Sequence, residues 1–315
     1  MSGLVTTNTL KPAVAKVYGY KLIEARSRDL IYGMGIETRV LPRNHSKQIV
    51  YSLYDNLTPD KTPLGEMGVT PKGKILNKTD IPTKVEWYGT FIPINEQVVL
   101  TNEDPVLNIA AEKLGIFAQE TDDIIIRDVL ASTASFQNCV YGTNGDTPTN
   151  ITAADIAKTY TTLRGEDAKR IDGGKAAENK YGTSPIGDSY YALCHTDLIN
   201  DLRLIPNYVQ KIQYPNQKGL LNSEDGYVHN TRFFVSSQGS IDTTKSTNGN
   251  IVYNIITIAK DCAIRVKLEG NAQFLYNPPI DPLRQNATCA VKWVQATRII
   301  NEAYMVRSRA TLLIK

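Results

Sequence analysis

The feature that most constrains the fold of this chain is a long amphipathic pattern from Asp104 to about Ser135. Within it, apolar residues recur at three- and four-residue steps, which is the spacing of one face of an α-helix. Asp104 can cap the first turn, and Pro105 suits that turn because its missing N–H would have no partner there. At 1.5 Å per residue the helix would span about 45 Å. The sequence therefore predicts an elongated domain built along one helix, whose buried face includes Leu107, Leu114, Ala118 and Ile125.

The charged residues of this helix lie off that apolar stripe. We expect Glu112, Lys113, Asp122 and Asp123 to be more exposed or to pair with neighbours. Asp122 and Asp123 are adjacent acids, but a solvated helix face explains them better than a catalytic pair does.

A second unusual segment covers residues 46–98. A strand-like run at 48–54 leads into a stretch rich in Pro and Gly, and a second strand-like run at 84–94 returns. The tip, residues 58–78, has few large apolar side chains and cannot build its own core. Because a two-stranded excursion is marginal in water unless another surface covers it, we expect this arm to lie on a neighbour.

The remaining patterns predict an α+β fold without internal repeats. The first 20 residues read as an extended arm, residues 22–35 favour a short helix, and residues 165–188 favour a polar loop. Further helices are predicted from Thr152 to about Arg164, and from a cap at Thr196 or Asp197 through Leu204. Strands are predicted at 189–194, 232–236, 251–258 and 263–268, with two or more between 287 and 314.

Composition excludes several classes of protein. The chain has 42% hydrophobic and 21% charged residues, as ordinary globular proteins do. It has no run of about 18 apolar residues that would span a membrane and no signal-peptide pattern, so we expect a protein that stays in the cell that makes it. The four cysteines have neither disulfide-framework nor zinc-site spacing, and we expect them to be small core residues.

The net charge is +3, but it is distributed unevenly. Residues 1–43 carry +4 and residues 284–315 carry +5, so the middle of the chain is acidic. Basic ends suit a polyanion or an acidic face of a neighbouring subunit, and solvated charge without a partner is the plain alternative.

We find no catalytic constellation. The segment from Gly68 to Lys74 matches a phosphate-binding loop, but Ile75 stands where that loop needs Ser or Thr, and Pro71 removes an amide donor. The three histidines have no metal-binding spacing, and His195 favours a structural position at a strand end. We therefore predict neither enzymatic activity nor a cofactor.

Four stretches, in order over roughly 250 residues, resemble the major capsid proteins of phages related to phage N-four, a family with the Hong Kong 97 capsid fold. They are Thr62-Pro63-Leu64 with Glu66 and Gly68-Val69-Thr70-Pro71; Leu100-Thr101 with Glu103-Asp104-Pro105-Val106-Leu107-Asn108 and Arg127-Asp128-Val129-Leu130; His195-Thr196-Asp197 with Asp201-Leu202-Arg203; and Asp281-Pro282-Leu283 with Ala287-Thr288 and Met305-Val306-Arg307.

The resemblance implies a division of the chain into the parts of that fold. These are an N-terminal arm with a short helix (1–45), an E-loop hairpin (46–98), a peripheral domain with the spine helix (99–139), a mainly axial domain (140–275) and a return to the peripheral domain (276–315). In such a subunit the E-loop tip and the arm would contact neighbours. The residues concerned are Pro59, Pro63, Glu66, Pro71, Lys72 and Lys74 at the tip and Lys11, Lys16 and Lys21 in the arm.

The function expected from the resemblance is structural. Hexamers and pentamers would close an icosahedral shell around double-stranded DNA without reading its sequence, after assembly in the host bacterial cytoplasm. Portal, scaffolding and decoration proteins are further candidate partners, and no membrane is involved. Two alternatives remain open at this point: a bacterial nanocompartment shell protein of the same fold, and a polysaccharide-binding β-rich domain that uses the 17 tyrosines.

Overall fold

The computed structural model describes residues 28–42, 46–61, 73–101, 106–143, 145–171, 188–214, 221, 223–242, 249–269, 273–279, 282–283 and 285–313. The helices in these ranges are α1 (Glu96–Thr101), α2 (Val106–Ala131), α3 (Ala153–Gly165) and α4 (Ile199–Arg203). The strands are β1 (Glu37–Leu41), β2 (Gln48–Tyr54), β3 (Lys78–Lys84), β4 (Glu86–Asn95), β5 (Phe136–Asn138), β6 (Tyr190–His195), β7 (Val209–Gln210), β8 (Glu224–Val228), β9 (Thr231–Ser236), β10 (Ile241–Asp242), β11 (Val252–Ile258), β12 (Ala263–Leu268), β13 (Gln273–Asn277), β14 (Asn286–Ile299) and β15 (Met305–Thr311).

The first sheet is organised around the long strand β14. Along one edge, β14 pairs with β4 in antiparallel register from Asn286 opposite Asn95 to Gln295 opposite Glu86. The antiparallel strands β12 and β13 also pair with β14, and β1 adds to β12 in parallel. Because strand side chains alternate between faces, Val291 and Trp293 face α2, whereas Val294 and Ala296 lie on the opposite face.

The second sheet has the strand order β5-β15-β11-β6-β9-β8-β7, with β10 also paired to β11. Its central strand β11 is buried along its whole length, which requires cover on both faces. One face packs against α3 and α4 through Ile156 and Leu202. The other face packs against the C-terminal half of α2, through Ile126 and Leu130.

Helix α2 therefore belongs to both sheets. Ala110 and Leu114 in its first half pack on β14, while Ile126 and Leu130 in its second half pack on the second sheet. The predicted long helix is confirmed, with 26 residues. The apolar side chains of its first half therefore face the first sheet, and those of its second half face the second sheet.

Much of the predicted secondary structure is confirmed. The helix that begins after Thr152 is α3, and Thr152 is its N-cap. The predicted central strands correspond to β6, β9, β11 and β12, and the two after residue 287 are β14 and β15. The cysteines are buried and free, as expected for small core residues.

The return strand of the hairpin was predicted wrongly. The partner of β2 is the polar strand β3, in register from Gln48 opposite Lys84 to Tyr54 opposite Lys78. Most of the apolar run at 84–94 belongs instead to β4, which pairs with β14 and packs Tyr88, Ile92 and Ile94 against α2. Gly89 permits this pairing, because a Cβ there would lie 2.8 Å from the Val291 carbonyl oxygen.

Two helix predictions also need correction. Over the described part of residues 22–35 the chain forms a turn, not a helix, and buries Ile31 and Tyr32 against α2 and the second sheet. A short 3-10 helix, Thr196–Leu198, follows β6 and leads into α4. Its cap is His195, not Thr196 or Asp197: the His195 Nδ1 accepts the Asp197 N–H at 3.1 Å. This structural position of His195 agrees with the sequence prediction.

No helix among the described residues is long and apolar enough to cross a membrane.

We predict that Leu114→Ala lowers the free energy of unfolding by about 2–5 kcal/mol, as large-to-small changes in a core do. Leu114 is 2% exposed and packs between α2 and β14. The neighbouring Lys113→Ala is the control and should cost under about 0.5 kcal/mol, because the Lys113 side chain is partly exposed and its ion pair with Glu112 of the same helix is long, at 4.0 Å. Urea unfolding of both variants measures the difference, and equal costs would contradict the packing of α2.

Candidate assembly surfaces

The hairpin β2–β3 carries an apolar surface that the rest of the described chain does not cover. Seven residues of each strand are paired, which gives a ribbon about 23 Å long at roughly 3.3 Å per residue. The exposed apolar side chains of its outer part are Val50, Leu53, Tyr54, Leu57, Ile75 and Leu76. Ile75 is 82% exposed. A cluster of exposed apolar side chains, as on the outer part of this hairpin, is typical of a protein–protein contact.

The base of the hairpin is fixed to the body. Ile49 and Tyr51 of β2 pack with Val85 against Val266 and Val294, on the sheet face opposite α2. The guanidinium of Arg39 lies 5.5 Å from the centre of the Tyr51 ring. A hairpin that is held at its base and exposed beyond it can present its outer part to another molecule in a defined position.

The predicted tip residues are only partly within the described chain. Pro59 and Lys74 are exposed, and the Lys74 ammonium donates to the Thr58 carbonyl oxygen. Outside the described residues lie Pro63, Glu66, Pro71 and Lys72 of the tip and Lys11, Lys16 and Lys21 of the arm. Their contacts with other subunits stay a prediction.

Strand β4 presents a second exposed surface. Trp87 and Phe91 are 64% and 63% exposed and lie on the face of the sheet opposite α2. Gly89 lies between them. Large aromatic side chains exposed side by side on a sheet face are frequent in interfaces.

Helix α2 supplies the predicted apolar face and two carboxylates. Leu114 is buried, and Leu107, Ala118 and Ile125 are half-buried. Asp122 pairs with Arg265 of β12, and the Lys267 Nζ lies 3.8 Å from the same carboxylate. Burial lowers the pKa of Arg265 to about 10. Asp122 therefore pairs across to the sheet, which is one of the two outcomes expected for it.

The expectation for Asp123 was wrong, because this acid is buried. Its carboxylate accepts the backbone N–H groups of Ile31 at 3.3 Å, Tyr32 at 2.9 Å and Gly33 at 3.2 Å. Burial raises the pKa of Asp123, and the three N–H donors oppose that shift. A signal was present in the sequence: Asp123 stands three residues before Ile126 and seven before Leu130, on their helix face.

A second buried charge lies in the other sheet and was not predicted. Arg232 donates to Glu224 through Nε at 2.8 Å and Nη2 at 2.5 Å, and both side chains are fully buried. The Tyr214 hydroxyl also donates to Glu224 at 3.0 Å. The pair joins β8 to β9. Because both side chains are fully buried and join two strands, the pair is part of the core.

No group of three or more His, Cys, Asp or Glu side chains among the described residues is arranged to hold a metal ion. What they present to the outside is apolar surface on the hairpin and on β4. This arrangement fits protein association better than small-molecule chemistry.

The fold is similar to several solved phage capsids. A capsid protein of Ralstonia phage GP4 has a TM-score of 0.73 at 10% identity, over 100% of this chain and 99% of that chain. A chain of the cyanophage Pam1 capsid and a chain of the head of Helicobacter pylori bacteriophage KHP40 have TM-scores of 0.69 and 0.68, at 12% and 11% identity. For Pam1, 98% of each chain is covered, and for KHP40, 99% of this chain and 98% of that chain. No curated protein matches the sequence.

These similarities show a fold of the phage capsid (Hong Kong 97) type. The family model described as phage capsid protein matches residues 78–261, which is more than half of the chain. The chain belongs to this phage capsid protein family, and its function is that of a structural major capsid protein in the virion shell. The polysaccharide-binding alternative finds no support, and the similarities favour a phage shell over a nanocompartment.

We predict that Asp123→Ala lowers the free energy of unfolding by about 2–4 kcal/mol, because it leaves three buried or half-buried N–H groups without their acceptor. Asp128→Ala on the same helix is the control. Its side chain is largely exposed and paired only with Arg127, so the cost should stay under about 0.5 kcal/mol. Urea unfolding of the unassembled subunit measures both. If Asp123→Ala left the free energy of unfolding unchanged, the turn at 31–33 would not be held by this carboxylate.

Proposed function

We propose that this subunit forms hexamers and pentamers that close an icosahedral shell around double-stranded DNA, after assembly in the host bacterial cytoplasm. The observation that carries the proposal is the projecting hairpin, with an anchored base and an exposed apolar outer part. A contact of this size is weak by itself. Repeated around a closed shell, many such contacts sum to a stable particle.

The proposal also divides the chain into the domains of the capsid fold. We assign the arm to residues 1–45, the E-loop to 46–98, the peripheral domain to 99–139 and 276–315, and most of the axial domain to 140–275. The packing of α2 on β14 supports joining the two peripheral segments, which are far apart in sequence. Strands β6 to β11 of the second sheet supply most of the axial domain, and β15 from the segment 276–315 pairs with β11 in the same sheet.

The role is structural, and the expected macromolecular partners are other copies of the chain and packaged DNA. The +4 excess of residues 1–43 supports contact with a polyanion, without sequence recognition. Portal, scaffolding and decoration proteins are further partners of a shell of this kind.

The first test removes the apolar outer part of the hairpin. Ile75→Ser combined with Leu76→Ser should leave a folded, soluble subunit that forms no shells, because these side chains are largely exposed within the subunit and we assign them to a contact with a neighbour. Asn77→Ser, also exposed and adjacent, is the control and should assemble normally. Replacement of residues 58–78 by a short Gly/Ser turn should act as the double variant does. Electron microscopy shows whether shells form, and sedimentation measures the assembled fraction. Normal shells from the Ile75/Leu76 variant would contradict the role of the hairpin.

The second test concerns the basic arm. Replacing Lys11, Lys16 and Lys21 by Ala should leave the assembly of empty shells unchanged and weaken salt-dependent DNA binding, if the arm faces the genome. Particle yield and DNA retention at several salt concentrations measure the two effects separately. Loss of empty shells would instead assign the arm to a contact between subunits.

A further inference from the structure

A polar cleft of about 490 Å³ lies at the C-terminal end of α2, between that helix and the second sheet. Its wall includes residues 237–242, Asn254 of β11 and Arg307 of β15. The cleft shares no residue with the hairpin or with β4, so it is distinct from the surfaces assigned to assembly. The charged side chains that line it are Arg127, Asp128, Asp242 and Arg307.

One arginine of this region has no carboxylate to balance it. The Arg127 Nη2 lies 2.7 Å from the Asp128 carboxylate. The Asp242 carboxylate lies 3.1 Å from the Nε of Arg309, which is two residues after Arg307 on β15. Arg307 forms no ion pair with another described residue. Three arginines therefore share two carboxylates, and the charge left over is that of Arg307.

The guanidinium of Arg307 is fixed in position, but only one of its edges is used. Its Nη1 donates at 2.6 Å to the carbonyl oxygen of Ala131, the last residue of α2. Its Cζ lies 5.4 Å from the centre of the Phe136 ring. The other edge, formed by Nε and Nη2, has no acceptor among the described residues. Arginine binds two oxygens of one oxyanion through such an edge.

Gln238 supplies a second donor in the same cleft. Its Nε2 is buried and has no acceptor in the described part of the chain. Its backbone is held on both sides, because its carbonyl oxygen accepts from Arg127 at 3.0 Å and its N–H donates to Ser236 at 3.2 Å. A buried donor without an acceptor costs free energy, and an oxygen bound beside Gln238 would remove that cost.

Asn254 adds an acceptor to these two donors. Its Nδ2 donates to Ser240 at 3.0 Å, and its buried Oδ1 has no donor among the described residues. A protonated phosphate has oxygens that accept and a hydroxyl group that donates, whereas an ionised carboxylate only accepts. The cleft therefore fits a phosphate group better than an acidic side chain.

The electrostatics of Arg307 agree with a bound anion. Burial lowers the pKa of Arg307; Asp242 opposes this shift and Arg309 adds to it. An anion beside the guanidinium would stabilise its charged form. Arg307 and Arg309 also account for part of the +5 charge of residues 284–315, which subunit contacts through the hairpin do not explain.

We propose that this cleft binds a phosphate group, held by the Nε–Nη2 edge of Arg307 and by Gln238. The source is either free orthophosphate or the backbone of DNA, and the second source rests on the proposed function, since a shell around DNA brings DNA to the subunit. The bound phosphate bridges β15, next to the end of α2, and residues 237–242, and so stabilises the subunit.

Orthophosphate added to the unassembled full-length subunit tests the site. We expect a saturable rise in melting temperature, because a ligand that binds only the folded state stabilises it. Sodium chloride at the same ionic strength should give no such rise. Arg307→Lys keeps the charge but loses the bidentate edge, so the phosphate affinity measured by calorimetry should fall by at least about tenfold. Arg298→Lys, at an exposed arginine of β14, is the control and should bind as the unchanged protein does.

Gln238→Leu covers the case in which the Arg307 variant does not fold. Removing a buried amide that has no acceptor should not lower the free energy of unfolding, but it should weaken phosphate binding by at least about threefold. Unchanged affinity in the variants that fold, or a phosphate effect no larger than that of chloride, would overturn the proposal. Sodium acetate acting as strongly as phosphate would also overturn it and assign the cleft to a carboxylate.

A short DNA duplex separates the two sources. If the DNA backbone occupies the cleft, the duplex displaces orthophosphate and binds more weakly to Arg307→Lys than to Arg298→Lys. If free orthophosphate is the ligand, the duplex does not displace it. Arg307→Lys should still form empty shells at the normal yield, because the cleft lies apart from the hairpin. Failure of the phosphate site therefore leaves the proposed function intact, and failure of the proposed function shows in the Ile75/Leu76 variant.

Discussion

The packing of one helix on two sheets is the constraint on which the rest of the structure depends. Helix α2 meets β14 through its first half and the second sheet through its second half. Its consecutive acids Asp122 and Asp123 fasten it on two sides, one to Arg265 of β12 and the other to the backbone of the turn at 31–33. The position of the hairpin follows from this, because its base rests on the sheet that α2 supports. The outer part of the hairpin lies far from the core, and the packing of α2 on the first sheet fixes its position.

The buried charges of the subunit are better understood as determinants of register than as sources of stability. Desolvating an ion pair costs about as much as the pair recovers, so Arg232 and Glu224 add little net free energy. A shift of one residue between β8 and β9 would, however, turn one of the two charges to the other face of the sheet and leave its partner buried alone. The pair between Asp122 and Arg265 acts similarly on α2 and β12.

The sequence was most informative where one periodicity dominates a segment, as in α2, α3 and the buried strands. It was misleading where a polar segment forms a paired strand or a charged side chain is buried. Strand β3 is polar and contains Pro82, so the apolar run of β4 was the more obvious partner for β2. Asp123 was assigned to solvent because its partners are backbone groups about 90 residues away, which no local pattern reports. The capsid fold was recognised from ordered motifs, and the surfaces that join subunits depend on contacts that a single chain does not contain.

An exposed apolar hairpin is a risk for aggregation of the free subunit. Both of its strands are edge strands, and unprotected edges pair readily with other chains. Pro82 removes one N–H from β3, and the charged residues Lys78, Asp80 and Lys84 interrupt the same strand. Pairing by edge addition is thereby disfavoured, while the side chains at the outer end remain available. The hairpin can then be covered by a surface of matching shape and charge but not by another copy of its own strand, and this difference separates assembly of a shell from aggregation.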